Sequence, residues 1–150
     1  MATTVKSSYL NVSITERLKL NGTEHGSTRS MNISSINEVS KRVFTIATTP
    51  GTQIYAGGAT ASNGTFVTDN VKYIRITNLD DTNFVVLHLE GSGHYAQLKI
   101  EPGSFFILTD VSSSFDGANA VSGYTPVSIT KIDAMADTAS CDIEVFVASS

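Results

Sequence analysis

The chain has 150 residues, a length that suits one domain with a core of its own and no need of disulfides or metal. Its net charge of −4 with no basic stripe speaks against direct binding to nucleic acid, and its apolar runs fall far short of the roughly 20 residues that span a bilayer. Only 16% of residues are charged, against about 25% in typical domains, while Ser and Thr supply about a quarter, so the composition favours strands over helices.

Met1–Ser8 is short and polar, lacks the apolar stretch of a signal peptide, and is expected to be an arm that orders on contact with a partner. Leu10, Val12, Ile14, Leu18 and Leu20 share one parity; Asn11, Ser13, Thr15, Arg17 and Lys19 share the other. This alternation predicts a half-buried strand interrupted at Glu16, by a bulge or bend in preference to a hairpin. Asn21-Gly22 is a turn dipeptide, and polar Thr23–Ser30 is expected to be a loop or exposed edge strand. Met31–Ile36 reads as a short strand, with room for one helical turn at Ser35–Val39. Lys41–Thr48 is a clearer strand stopped by Pro50-Gly51, and Gln53–Ala56 is a short one. Gly57–Gly64 has little to bury and reads as a flexible loop.

The most informative stretch follows. Val71–Thr77, Phe84–Leu89, Tyr95–Ile100 and Phe105–Thr109 are strand-like, and turn signals at Asn78–Asn83, Gly91–Gly93 and Pro102-Gly103 separate them. They predict an antiparallel meander. Val111–Gly123 is the longest loop, after which Thr125–Met135 and Cys141–Val147 alternate again. About eight to ten short strands with turns between them predict an all-β, jelly-roll-like antiparallel sandwich over residues 1–150, with helix below about 10%. The expected core is Leu87, Leu89, Leu98, Ile100, Phe105, Ile107, Ile143 and Val145.

The sequence nominates no catalytic, cofactor-binding or metal-ligating residue. His88 and His94 flank the Gly91–Gly93 turn and could face each other, but zinc needs three or four ligands, and only Glu90 and distant Cys141 could join them. Asp80 and Asp81, with Asn78 and Asn83, make an oxygen-rich loop without the spacing of a calcium loop, so turn capping is the preferred reading. Cys141 sits in a strand, where a small core residue is the simpler reading than a reactive thiol. One cysteine also excludes an internal disulfide and fits synthesis in a reducing cytoplasm. No Gly-x-Ser-x-Gly elbow occurs. Tyr9, Tyr55, Tyr73, Tyr95 and Tyr124 could stack on sugars, although Trp, the ring most used for that purpose, is absent.

Ile14–Gly22 with Ser35–Val43, and Lys72–Asn83 with Pro102–Leu108, together resemble small virion structural proteins of tailed bacteriophages, especially marine and cyanobacterial phages. The resemblance implies a non-enzymatic β-sandwich present in many copies on a virion and made in the host cytoplasm. It carries over no active-site residue. The implied role is capsid decoration or cement, with the major capsid protein or other virion proteins as partners and self-association into a homo-oligomer. A tail, neck or fibre component is the alternative within that class. A host-sugar-binding module, using Gly57–Gly64 or Val111–Gly123 and a loop tyrosine such as Tyr124, is the rival class.

Overall fold

A computed structural model of the chain describes residues 5–117 and 123–150. Its strands are β1 (Ser8–Thr15), β2 (Lys19–Leu20), β3 (Thr23–Glu24), β4 (Thr28–Ile36), β5 (Glu38–Ile46), β6 (Thr52–Gly58), β7 (Phe66–Val67), β8 (Val71–Asn78), β9 (Val85–Gly91), β10 (His94–Ile100), β11 (Phe105–Leu108), β12 (Lys131–Ala136) and β13 (Cys141–Ser149). Among the described residues the helical content is one 3-10 turn, Thr68–Asn70. Ser35–Val39 makes no helical turn: β4 and β5 are extended on either side of Asn37.

Two sheets pack face to face. One has the order β11-β8-β13-β5 and the other β10-β9-β12-β6-β7. Leaving aside two-residue β7, the chain visits the first sheet with β5, β8, β11 and β13 and the second with β6, β9, β10 and β12. Every connection except the β9–β10 hairpin therefore crosses between sheets, which is jelly-roll connectivity. Alternate residues of both sheets meet in one core: Ile74 and Ile76 of β8, Ile143, Val145 and Val147 of β13, Leu87 and Leu89 of β9, and Ile132 of β12. Cys141 is buried at the start of β13 as a small core residue, and burial pushes its thiol pKa up.

The meander expected over residues 71–109 is corrected. β8 pairs with β11, β9 pairs with β10, and the two pairs belong to opposite sheets. Short turns alone do not decide between these outcomes; a polar knot does. Asn78 is fully buried, and its side-chain amide donates to the Asn83 carbonyl at 2.8 Å and the Ile100 carbonyl at 3.4 Å. Its Oδ1 accepts from the Asp80 N–H at 3.1 Å. Asp80 Oδ1 accepts from the backbone of Thr82 and Asn83, and Gly103 N–H donates to the Asp80 carbonyl. Both sheet-to-sheet crossings, 79–84 and 101–104, are thereby tied together at one end. The Asp80 loop is a self-capped turn, as its composition suggested.

Three expected core residues, Leu98, Phe105 and Ile107, also leave the sandwich core. Phe105 and Leu98 are 57% and 38% exposed. On β11 it is Phe106 and Leu108 that pack on the sandwich core, which puts Phe105 and Ile107 on the opposite face. Leu98 has inward parity, but β10 is the sheet's edge strand and leaves it partly open.

The expected flexible loop at Gly57–Gly64 is shorter than expected, because Gly57 and Gly58 belong to β6 and pair with β7. The Val111–Gly123 loop is likewise anchored where it is described: Val111 is fully buried, and Phe115 bridges to Val127 and packs on the core. Residues 118–122 of that loop, and residues 1–4 of the expected Met1–Ser8 arm, lie outside the described residues.

Candidate functional site

Sequence alternation in Leu10–Leu20 and the Asn21-Gly22 turn together build an unexpected object. β1 pairs antiparallel with β4, with Leu10 opposite Ile33, Val12 opposite Met31 and Ile14 opposite Arg29. β2 pairs with β3 in the same register, with Leu20 opposite Thr23. Between them Glu16 N–H donates to the Ser27 carbonyl and His25 N–H to the Leu18 carbonyl, both at 2.8 Å. The result is one long two-stranded ribbon closed by Asn21-Gly22, both with positive φ (48° and 82°), as a two-residue hairpin turn requires. The strand thus breaks at Glu16–Leu18 without turning back there and runs on to the Asn21-Gly22 turn, and Thr23–Ser30, expected as a loop or exposed edge strand, is its returning strand.

The ribbon has a polar face and an apolar face. Ser13 and Ser30 hydroxyls meet at 2.8 Å and Thr15 and Thr28 at 3.2 Å across the strands of the polar face. A bulge at the base, where Ser35 has φ 64°, adds a residue to β4 and turns Ile36 to the same side as Ile33. Leu10, Val12, Ile33 and Ile36 then pack against Tyr73, Ile107, Phe146 and Ala148 on the outer face of the β11-β8-β13-β5 sheet. Tyr73 and Phe146 meet edge to face, with centroids 6.0 Å apart.

Beyond Val12 the ribbon leaves the body. Every residue from Ser13 to Ser30 is exposed, including Ile14 (39%), Leu18 (54%) and Leu20 (56%). A Cβ at Gly26 would run into the Glu16 carbonyl oxygen, so the close pairing at mid-ribbon needs glycine there. Beside the ribbon's footprint, Glu144 accepts from Arg75 at 2.6 Å and from Lys41 at 3.0 Å. The Lys41 hydrogen bond, with the charges of both cations, holds the Glu144 carboxyl below its usual value.

The histidines do not form a site. His88 lies on the outer face of β9 and stacks on Tyr95, with centroids 5.6 Å apart. His94 has the opposite parity; its Nδ1 accepts from Gly117 N–H at 2.9 Å and lies 3.2 Å from Asp116 Oδ1. It pins the 111–117 segment to the hairpin end. Among the described residues, no group of three or more His, Cys, Asp or Glu is placed to hold a metal ion.

Of the tyrosines, Tyr55 and Tyr73 are buried, while Tyr9, Tyr95 and Tyr124 are exposed. Tyr95, His94, Asp116 and Thr125 line an open concavity of about 570 Å³. A second cleft, about 270 Å³, opens between β5 and the β6–β7 edge, lined by Arg42, Phe44, Tyr55 and Phe66. There the Arg42 guanidinium lies 4.8 Å from the Phe44 ring centre, and burial pushes the Tyr55 hydroxyl pKa up. Comparison of the chain with known protein families, curated proteins and solved structures finds no match.

Proposed function

We propose that this chain is a non-enzymatic structural protein of a tailed-bacteriophage virion, a capsid decoration or cement protein that joins a protein shell through its N-terminal ribbon. A tail, neck or fibre position uses the same device. One observation carries the reading: Ser13–Ser30 is paired and folded back on itself, yet exposed along its whole length with three large aliphatic side chains in solvent. A free protein gains nothing from such a ribbon, whereas a subunit in an assembly gains burial from its neighbour. Jelly rolls serve viral capsids and lectins alike, so the fold is compatible with the reading without selecting it.

Replacing Ser13–Ser30 by Asn-Gly keeps Val12 opposite Met31 and closes the shortened ribbon with the same turn type. The shortened protein is expected to melt with the full chain but to be lost from purified particles, read by mass spectrometry of virions. Absence of the full-length chain from those particles overturns the proposal. Specific binding of the full chain to a glycan, abolished by Tyr95→Ala or Tyr124→Ala, would favour the sugar-binding class instead.

A further inference from the structure

The ribbon's apolar stripe and the sheet face beneath it are each only half used. Because the register is constant, Leu10, Val12, Ile14, Leu18 and Leu20 lie on one ribbon face, and only the first two are covered. The outer face of the β11-β8-β13-β5 sheet is divided in the same way. One row across its strands is Ile107, Arg75, Phe146 and Lys41, and the ribbon packs on its two apolar members. The adjoining row is Phe105, Thr77, Glu144 and Val43, with Leu79 one step beyond on the same parity. Phe105, Val43 and Leu79 are 57%, 59% and 51% exposed.

We propose that the distal half of the ribbon docks on this open half of the sheet face in a second copy of the chain, reciprocally, giving a two-fold dimer. The inference rests on the assembly function proposed above and divides the ribbon: its apolar face meets a second copy, and its Ser/Thr face is left for the shell. Continuity is the first argument. Within one chain this stripe already packs on this sheet face, and the two unburied remainders continue the same surfaces. Charge is the second. Lys41 and Arg75 share the single carboxylate of Glu144, leaving a surplus cation, and Asp142 is held by the Thr45 hydroxyl at 2.6 Å with no cationic partner among the described residues. The ribbon's apolar face carries Glu16 and Arg29, one of each sign, to meet them. Size is the third. Eight residues of a two-stranded ribbon cover a strip about 26 Å by 10 Å, and two reciprocal dockings bury about 1,000 Å² in total, where specific interfaces begin.

The test is sedimentation velocity on the full chain, on Leu18→Asp in the ribbon, on Val43→Asp in the sheet, and on a mixture of the two variants. Both positions are exposed in the single chain, so at concentrations where the parent is monomeric both variants should melt with it. The parent is expected to dimerise, and each variant alone to associate at least about tenfold more weakly. The mixture should regain part of that association, because a mixed pair keeps one intact docking, the ribbon of the Val43→Asp chain on the sheet of the Leu18→Asp chain. A parent that stays monomeric up to about 0.1 mM while still entering particles overturns the second copy as partner and leaves the particle-joining function standing. Dimerisation of Val43→Asp at parental strength overturns the sheet face as the docking surface.

Discussion

Asn78→Ala is expected to be among the most damaging small substitutions in the protein. The side chain is fully buried and ties the 79–84 crossing, at Asp80 and Asn83, to the end of β10 at Ile100. Two of its hydrogen bonds have good lengths and one is long, so at about 1 kcal/mol net for a good bond the direct loss is about 2 kcal/mol. Stranding a buried carbonyl or N–H adds about 1 kcal/mol or more, for a total near 3 kcal/mol. At about 2–4 °C per kcal/mol for a chain of this size, the melting temperature should fall by about 6–12 °C. Urea unfolding followed by near-UV circular dichroism, with an unchanged m-value, measures the free energy directly. Asn78→Asp adds a sign check. A carboxyl buried there has its folded pKa raised above the unfolded value, so the variant's deficit should be smallest below the unfolded value of about 4 and grow as pH rises from there through the folded value. A loss under about 1 kcal/mol for Asn78→Ala would mean that apolar packing alone holds the two crossings, and would refute the knot.

Leu87→Ala and Ile143→Ala, both in fully buried positions, should each cost about 2–5 kcal/mol in chemical denaturation, whereas Phe105→Ala should cost under about 1 kcal/mol. Asp80 and Glu144 both have depressed folded pKa values, the first through hydrogen bonds from the Asn83 and Thr82 backbone. Their stabilisation is present above the ordinary carboxylate range and is lost as pH falls through about 4 towards the depressed values. An Asp80→Asn/Glu144→Gln variant should accordingly show a flatter acid limb in a plot of melting temperature against pH. Gly26→Ala should speed amide exchange across Ser13–Ser30 while leaving the melting temperature of the sandwich unchanged; slow exchange there would show that the ribbon tolerates the added methyl.

Much of the fold was legible because burial on one face writes itself into the sequence as alternation, as in Cys141–Val147. Where both faces are in solvent there is nothing to alternate, so Thr23–Ser30 read equally as a loop or an exposed edge strand, and it is the latter, half of the ribbon. Where both faces are covered, parity is also lost. Phe105–Leu108 is four apolar residues in a row because one face meets the core and the other carries the ribbon contact at Ile107. The meander error has another origin. A hairpin and a crossing between sheets use similar turn residues, and the deciding contact runs from Asn78 to Ile100, beyond any local window. The candidate site was legible only as an apolar stripe; that half of it stands free depends on how far the sandwich reaches beneath it.

The place of β13 has a consequence for how the molecule is made. It lies between β8 and β5 and joins them, and it is synthesised after both. While a ribosome is still translating the β12–β13 region, β5 and β8 have no common neighbour, and each shows an unsatisfied row of N–H and C=O groups across a slot one strand wide. Such a slot accepts any extended segment of suitable pattern, including the same strand from another nascent chain. Closing it links residues about 100 positions apart, as in Glu144 against Val43, which places the protein among the slow, high-contact-order folders. A chain interrupted just before Cys141 would then be a seed for aggregation.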